Sequence, residues 1–286
     1  MVFPVVGGTQ ATGDLITNSL RFNDDDTARL ARTPSSAGNR KTWTWSGWIK
    51  RSSFGAQQTF FSARVSSDDN QQTSLAFRPQ NNLLIQSYDG AESTDIRTTA
   101  VYRDPSAWYH IVVAFDTTQS TNTNRVKVYV NGSQETALDN TTYPDQNDDT
   151  NINAADVHNI GQYPNNGQTL DGYLAEVNFI DGQQLAPTQF GETNDNGVWI
   201  PKKYTGSYGT NGFYLQFKQT GTSANASGIG ADTSGNDHHF TPTNLAATDV
   251  TTDTPQNNFC TWNPLDAHSG QTLSEGNTKN VADNNC

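Results

Sequence analysis

The chain has 286 residues, with 17 Lys and Arg against 29 Asp and Glu and a formal net charge of −12. Cations this few and this scattered do not form the basic footprint that a nucleic acid or an anionic membrane surface requires, and no apolar run approaches the ~18 residues that span a bilayer. Only 33% of the residues are hydrophobic and 16% charged; the excess is Asn, Thr, Gln, Ser and Gly, which suits short strands and turns better than helices.

Residues 1–14, MVFPVVGGTQATGD, form an apolar, Gly-rich arm with no Lys or Arg before its apolar stretch, which Pro4 splits. A secretory signal is therefore not expected. From Ser19 onward, period-2 alternation and β-branched or aromatic enrichment predict strands over 19–23, 28–32, 42–50, 59–64, 73–78, 82–88, 108–116, 125–132, 158–163, 171–181 and 213–218, separated by Gly, Asn, Asp and Pro. Asn131-Gly132 supplies the positive φ angles of a two-residue hairpin turn. The stretch IVVAF (111–115) is apolar on both faces, as in a strand covered above and below. The best helical candidate is a single turn over 186–192, opened by Pro187.

After Lys218 large aliphatics become rare, and so polar a stretch either wraps on the main domain or stays extended. The expected organisation is an arm over 1–14, an all-β jelly roll of two antiparallel sheets over 15–246, and a polar extension or linker over 247–286. Cys260 and Cys286 lie in that extension, where they cannot staple the domain, and no four-ligand zinc spacing exists.

The succession WYHIVVAFD, VKVYVNG, IGQY and LDGYLAEVNFIDG resembles the concanavalin A-like lectin/glucanase superfamily in its laminin-G-like and pentraxin-like form. Longer blocks sharpen the likeness: SLRFNDDDTARLARTPSSAGNRKTWTWSGWIKRS, FIDGQQLAPTQFGETNDNGVWIPKKYTGSYGTNGFYLQF, DTSGNDHHFTPTNL and DTPQNNFCTWNPL resemble the opening and closing of such domains in marine bacteriophage and cyanophage virion proteins. The resemblance implies a virion structural protein, a head or tail fibre or appendage component exposed on the particle surface. Its implied partners are other virion proteins (capsid, portal or neck, tail) and a host cell-surface glycan. Homo-oligomers, trimers above all, are the expectation for fibre proteins in general. The apolar Val2, Phe3, Pro4, Val5 and Val6 are then expected to anchor the chain in the virion, since such residues do not stay in water without a partner.

Glycosidases of this superfamily use two carboxylates on one strand, and a retaining mechanism needs them ~5–5.5 Å apart. Here the only such strand offers Glu176 and Asp181 with the amide Asn178 between them, so no enzyme activity is expected. A polysaccharide depolymerase is the less favoured alternative, and a capsid decoration protein without glycan binding is the other. No cofactor is expected. Calcium stays open because laminin-G-like relatives often bind it and Asp24-Asp25-Asp26, Asp68-Asp69 and Asp148-Asp149 offer hard oxygen ligands. His238 and His239 are adjacent, which in a strand points them to opposite faces and away from one ion. The tryptophans are expected in the core. Glycan contacts are expected instead from loops beside strands, at Tyr88 and Asp89 and at Tyr163, Asn165 and Asn166.

Overall fold

The computed structural model describes residues 16–65, 70–163, 167–268 and 270–282. In chain order the strands are β1 (Ser19–Phe22), β2 (Arg29–Arg32), β3 (Thr42–Arg51), β4 (Gln58–Arg64), β5 (Gln71–Phe77), β6 (Asn82–Asp89), β7 (Glu92–Val101), β8 (Trp108–Asp116), β9 (Val126–Val130), β10 (Ser133–Gln134), β11 (Leu138–Thr142), β12 (Val157–Ile160), β13 (Gly172–Asp181), β14 (Gly191–Thr193), β15 (Trp199–Pro201), β16 (Phe213–Leu215), β17 (Thr241–Thr243), β18 (Val250–Thr251), β19 (Gln271–Ser274) and β20 (Lys279–Ala282). The first large sheet runs β10-β9-β8-β3-β13-β1-β18, with β16 also on β13; the second runs β11-β7-β6-β5-β4-β12-β2-β17. This is the jelly-roll sandwich expected from the pattern. Val2, Phe3, Pro4, Val5, Val6, Asn165 and Asn166 lie outside the described residues, as do Asp68 and Asp69.

Register explains which side chains meet. One row across the second sheet aligns Leu30, Ile160, Phe61, Leu75, Ile85 and Ile96, each at most 1% exposed. They face Trp43, Trp45, Ile111, Val113, Phe115 and Leu174 of the first sheet in one hydrophobic core, where Trp43 stacks on Phe115 with centroids 4.8 Å apart. The IVVAF stretch lies in β8, flanked by β9 and β3. Its Ile111, Val113 and Phe115 enter that core, while Val112 packs on the other side with Ile180, Phe190 and Tyr204.

In β13 the ladder to β3 slips between Ala175 and Asn178, and Glu176 takes the left-handed conformation at φ 51°. A bulge adds one residue and resets the alternation. Leu174 and Val177, three apart, can therefore both enter the core. It also divides the far edge of β13: β1 pairs with residues 172–174 and β16 with 177–179.

Asn131 (φ 47°) and Gly132 (φ 82°) form the β9–β10 turn, and Pro187–Gln189 is a single 3-10 turn. Residues past 246 wrap on the sandwich, one of the two courses open to so polar a stretch. Strand β18 closes the edge of the first sheet against β1, and Lys50, Asn258, the Phe259 carbonyl and Asp253 lock the chain onto that sheet's outer face. The cause is chemical: Lys50 sits on a covered face of a central strand, and its ammonium needs acceptors that only this segment brings.

Candidate functional site

The outer face of the first sheet is taken up by the chain's own later segments. Trp48, Trp108, Tyr173 and Ala175 pack with Ile16 and Trp199. His110, fully buried, accepts from Trp199 Nε1 at its Nδ1 (3.0 Å) and therefore donates from Nε2 to Ser46 Oγ (2.9 Å). Burial lowers its pKa to about 3. His110 is a neutral structural group.

The outer face of the second sheet differs. The row next to the core row aligns Ala31, Asn159, Ser62, Ser74, Gln86 and Asp95 across six strands. One level along lie Arg64, Gln72 and Tyr88 in register, with Glu92 opposite Tyr88. Small, buried Ser62 and Ser74 form a floor, and half-buried Gln72, Gln86, Tyr88 and Arg97 stand above it. This arises directly from alternation: each strand that sends Leu, Ile or Phe inward sends an amide, hydroxyl or charge outward.

The polar groups are interlinked. Tyr88 OH donates to Glu92 Oε1 at 3.2 Å, and Gln86 Nε2 donates to the same oxygen at 3.0 Å. Burial, then the Glu92 charge, raises the Tyr88 phenol above its usual range. Arg97 holds Asp95 through Nε at 2.7 Å and through a second, terminal nitrogen, a bidentate pair. The amide oxygens of Gln72 and Asn159 are buried yet accept no hydrogen bond among the described residues. Buried acceptors of this kind each cost about 1–3 kcal/mol.

Of the residues singled out from sequence, Tyr88 is on this face. Asp89 is exposed at the strand end, its N–H donating to the Ala91 carbonyl. Tyr163 is only 7% exposed, so its ring packs rather than presents. Tyr88 is level with Arg64 and Val157, whereas Tyr163 follows Ile160 at the opposite end of β12. Gln86, Asp95, Arg97, Ser62 and Asn159 were missed because they are ordinary polar residues until the register lines them up.

The other sequence candidates have structural partners. Glu176 accepts the Tyr214 hydroxyl. Asp181 accepts from Asn39 N, Asn153 Nδ2 and Asn211 N. His239 Nδ1 accepts from Asp232 N, and His238 bonds the Gly212 carbonyl. Among the described residues no three His, Cys, Asp or Glu side chains are grouped to hold a metal ion. Four tryptophans are buried, Trp199 is half-buried and Trp262 is 54% exposed.

Residues 23–189, more than half of the chain, match the family model described as the concanavalin A-like lectin/glucanases superfamily. No curated relative matches. Among solved structures, a putative carbohydrate-binding protein from Bacteroides ovatus is similar at 14% identity and TM-score 0.51, over 83% of this chain and 60% of that one. The heptameric SAP-like pentraxin of Limulus polyphemus is similar at 21% identity and TM-score 0.44, over 62% of this chain and 81% of that one. Domains LG4-5 of the mouse laminin alpha1 chain match at 11% identity and TM-score 0.41, over 75% and 51%.

Proposed function

The chain belongs to the concanavalin A-like lectin/glucanase superfamily, and from that membership we propose that it is a glycan-binding protein whose contact surface is the outer face of the second sheet. The observation that carries this reading is the in-register polar row Asn159-Ser62-Ser74-Gln86-Asp95, with half-buried Gln72, Gln86, Tyr88 and Arg97 standing over its small buried serines. Sugar hydroxyls are donors as well as acceptors. They can exchange hydrogen bonds with the half-buried Gln72, Gln86 and Arg97 while Tyr88, an aromatic body with a polar tip, packs on the C–H face of the ring. In this reading the face binds without cleaving, with Asp95 paired to Arg97 and Glu92 accepting from Tyr88 and Gln86.

The setting we propose is a bacteriophage virion, with the domain displayed on the particle surface for adhesion to host glycans and the chain joined to capsid, neck or tail. That part rests on the sequence blocks quoted above. On a glycan array the protein is expected to select defined host-type oligosaccharides, and a Gln86→Ala/Tyr88→Ala variant of unchanged melting temperature is expected to lose at least tenfold in affinity. Equal binding by the variant would overturn the assignment of the face. Antibody labelling of intact particles tests the setting: signal at a fixed position on the virion supports it, and its absence from purified particles overturns it.

A further inference from the structure

Beyond the matched residues 23–189 the C-terminal segment builds a second concavity. It is fastened to the body at several points: Tyr173 OH donates to the Gly276 carbonyl at 2.9 Å, Asn277 Nδ2 to the Ser52 carbonyl at 2.6 Å, and Trp262 N to the Asn277 carbonyl at 2.9 Å. Strands β19 and β20 form a hairpin over this anchor. Between the hairpin and the 260–267 stretch lies a cavity of about 530 Å³ lined by Trp262, Leu273, Ala267, Asp266, Gln271 and Thr278, among others.

Its size and chemistry restrict the occupant. Cavities of ~300–1,000 Å³ enclose whole small molecules. Trp262 is 54% exposed although five other tryptophans are buried or half-buried, so an indole is held in water by a segment tied down on either side of it. Leu273 and Ala267 extend this apolar wall. The same lining holds polar groups with capacity to spare. Gln271 uses its amide oxygen to accept the His268 N–H at 3.0 Å, and Thr278 uses its hydroxyl hydrogen on the Glu275 carbonyl at 2.7 Å. That leaves an amide N–H pair on Gln271 and a hydroxyl lone pair on Thr278. Asp266 is the one charged side chain among the described lining residues, and its carboxylate accepts hydroxyls and repels anions.

We propose that this cavity is a second carbohydrate site, specific for a neutral sugar, with Trp262 as the stacking platform and Asp266, Gln271 and Thr278 as the hydroxyl-binding groups. The proposal extends the glycan-binding reading to a surface the first site does not include, and each can fail without the other. Calorimetric titration of the full chain with lactose, cellobiose and maltose tests it, with glucuronate as the charged control. Saturable binding of a neutral disaccharide is expected, weakened at least tenfold by Trp262→Ala and by Asp266→Asn with Gln271→Ala, and unaffected by Gln86→Ala/Tyr88→Ala. Trp262 is largely exposed, so its variant keeps the melting temperature of the parent. Wild-type affinity in Trp262→Ala overturns the proposal, as does a wild-type chain that takes up none of the three sugars or binds glucuronate as well as the neutral ones. Loss on the Tyr88 variant alone overturns it while leaving the sheet face standing.

Discussion

Lys50 Nζ lies 2.9 Å from Asp253 Oδ2, with the two side chains only 1% and 2% exposed. The pair joins the middle of the first sheet to a segment two hundred residues later, and Asp253 Oδ1 also accepts Trp108 Nε1 at 3.2 Å. Removing one partner of such a pair strands the other charge in a dry site, at a cost of about 3–5 kcal/mol. Asp253→Ala is therefore expected to lower the unfolding free energy, read from denaturant titration, by that amount. Asp253→Asn, which keeps the Trp108 and Phe259 hydrogen bonds, is expected to cost less. A loss of unfolding free energy under about 1 kcal/mol for Asp253→Ala would show that the ammonium reaches water.

Acid should unfold the protein earlier than its carboxylates alone would dictate. Burial depresses His110 to about 3 and His158 to about 4, against 6.5 when unfolded. His158 is fixed as a neutral tautomer by accepting the Asn153 N–H at Nε2 (2.8 Å). Because the folded values are the lower ones, the unfolded chain binds more protons below pH 6.5, and stability is lost as pH falls from 6.5 toward 4 and then 3. Denaturant titrations from pH 7 to 4 are expected to show a decline of a few kcal/mol. A His110→Gln variant should show a shallower decline than the parent, and an identical slope would contradict the assignment.

Asp171 works in the opposite direction. Burial first, and then the charge of Asp24, raises its carboxyl to about 7. The folded state then holds a proton that the unfolded state has released, so stability is lost as pH rises from 3.8 through 7. Asp171→Asn should raise the melting temperature at pH 8 and change it little at pH 4, readable in paired thermal scans.

Trp199 lies over His110 with ring centroids 5.9 Å apart, and it leaves no room for a methyl at Gly132 or Gly191. Gly191→Ala forces the indole off His110 Nδ1, with an expected loss of roughly 1–3 kcal/mol. Gly132→Ala adds the strain of φ +82°. Equilibrium unfolding of both, with near-ultraviolet circular dichroism to follow the Trp199 environment, checks the order of the two effects.

The strands that carry large apolar residues were legible in the sequence nearly to the residue, as 108–116 and 171–181 show. Strand β7 was not, because in ESTDIRTTAV only Ile96 is a large apolar residue buried against the core, and the segment owes its place to pairing with β6 and β11. The Glu176 bulge was equally hidden, since the resetting of phase shows only when Leu174 and Val177 are seen on one side. Of the sheet face, Tyr88 could be named because an aromatic beside a turn stands out. Asn159 could not, because β12 inserts between β4 and β2 and no local signal announces a neighbour 97 or 128 residues distant (Ser62 and Ala31). Alternation within β5 and β6, with Gln72, Ser74, Gln86 and Tyr88 outward, was the one signal that could have found part of the face.

Strand β18 and the Lys50–Asp253 pair also set a timetable for synthesis. Ser19 meets Thr251 across 232 residues of chain, so the edge of the first sheet waits for almost the whole polypeptide. Closing a loop of that length costs entropy before any contact is gained, and sheets rich in such distant pairings assemble slowly. On the ribosome the second sheet can pair β4 through β7 from one continuous stretch of sequence. The first sheet stays open until residue 253 has left the exit tunnel, with the Lys50 ammonium still solvated. A nascent chain stalled before that point should present the Trp48 and Trp108 surface to chaperones.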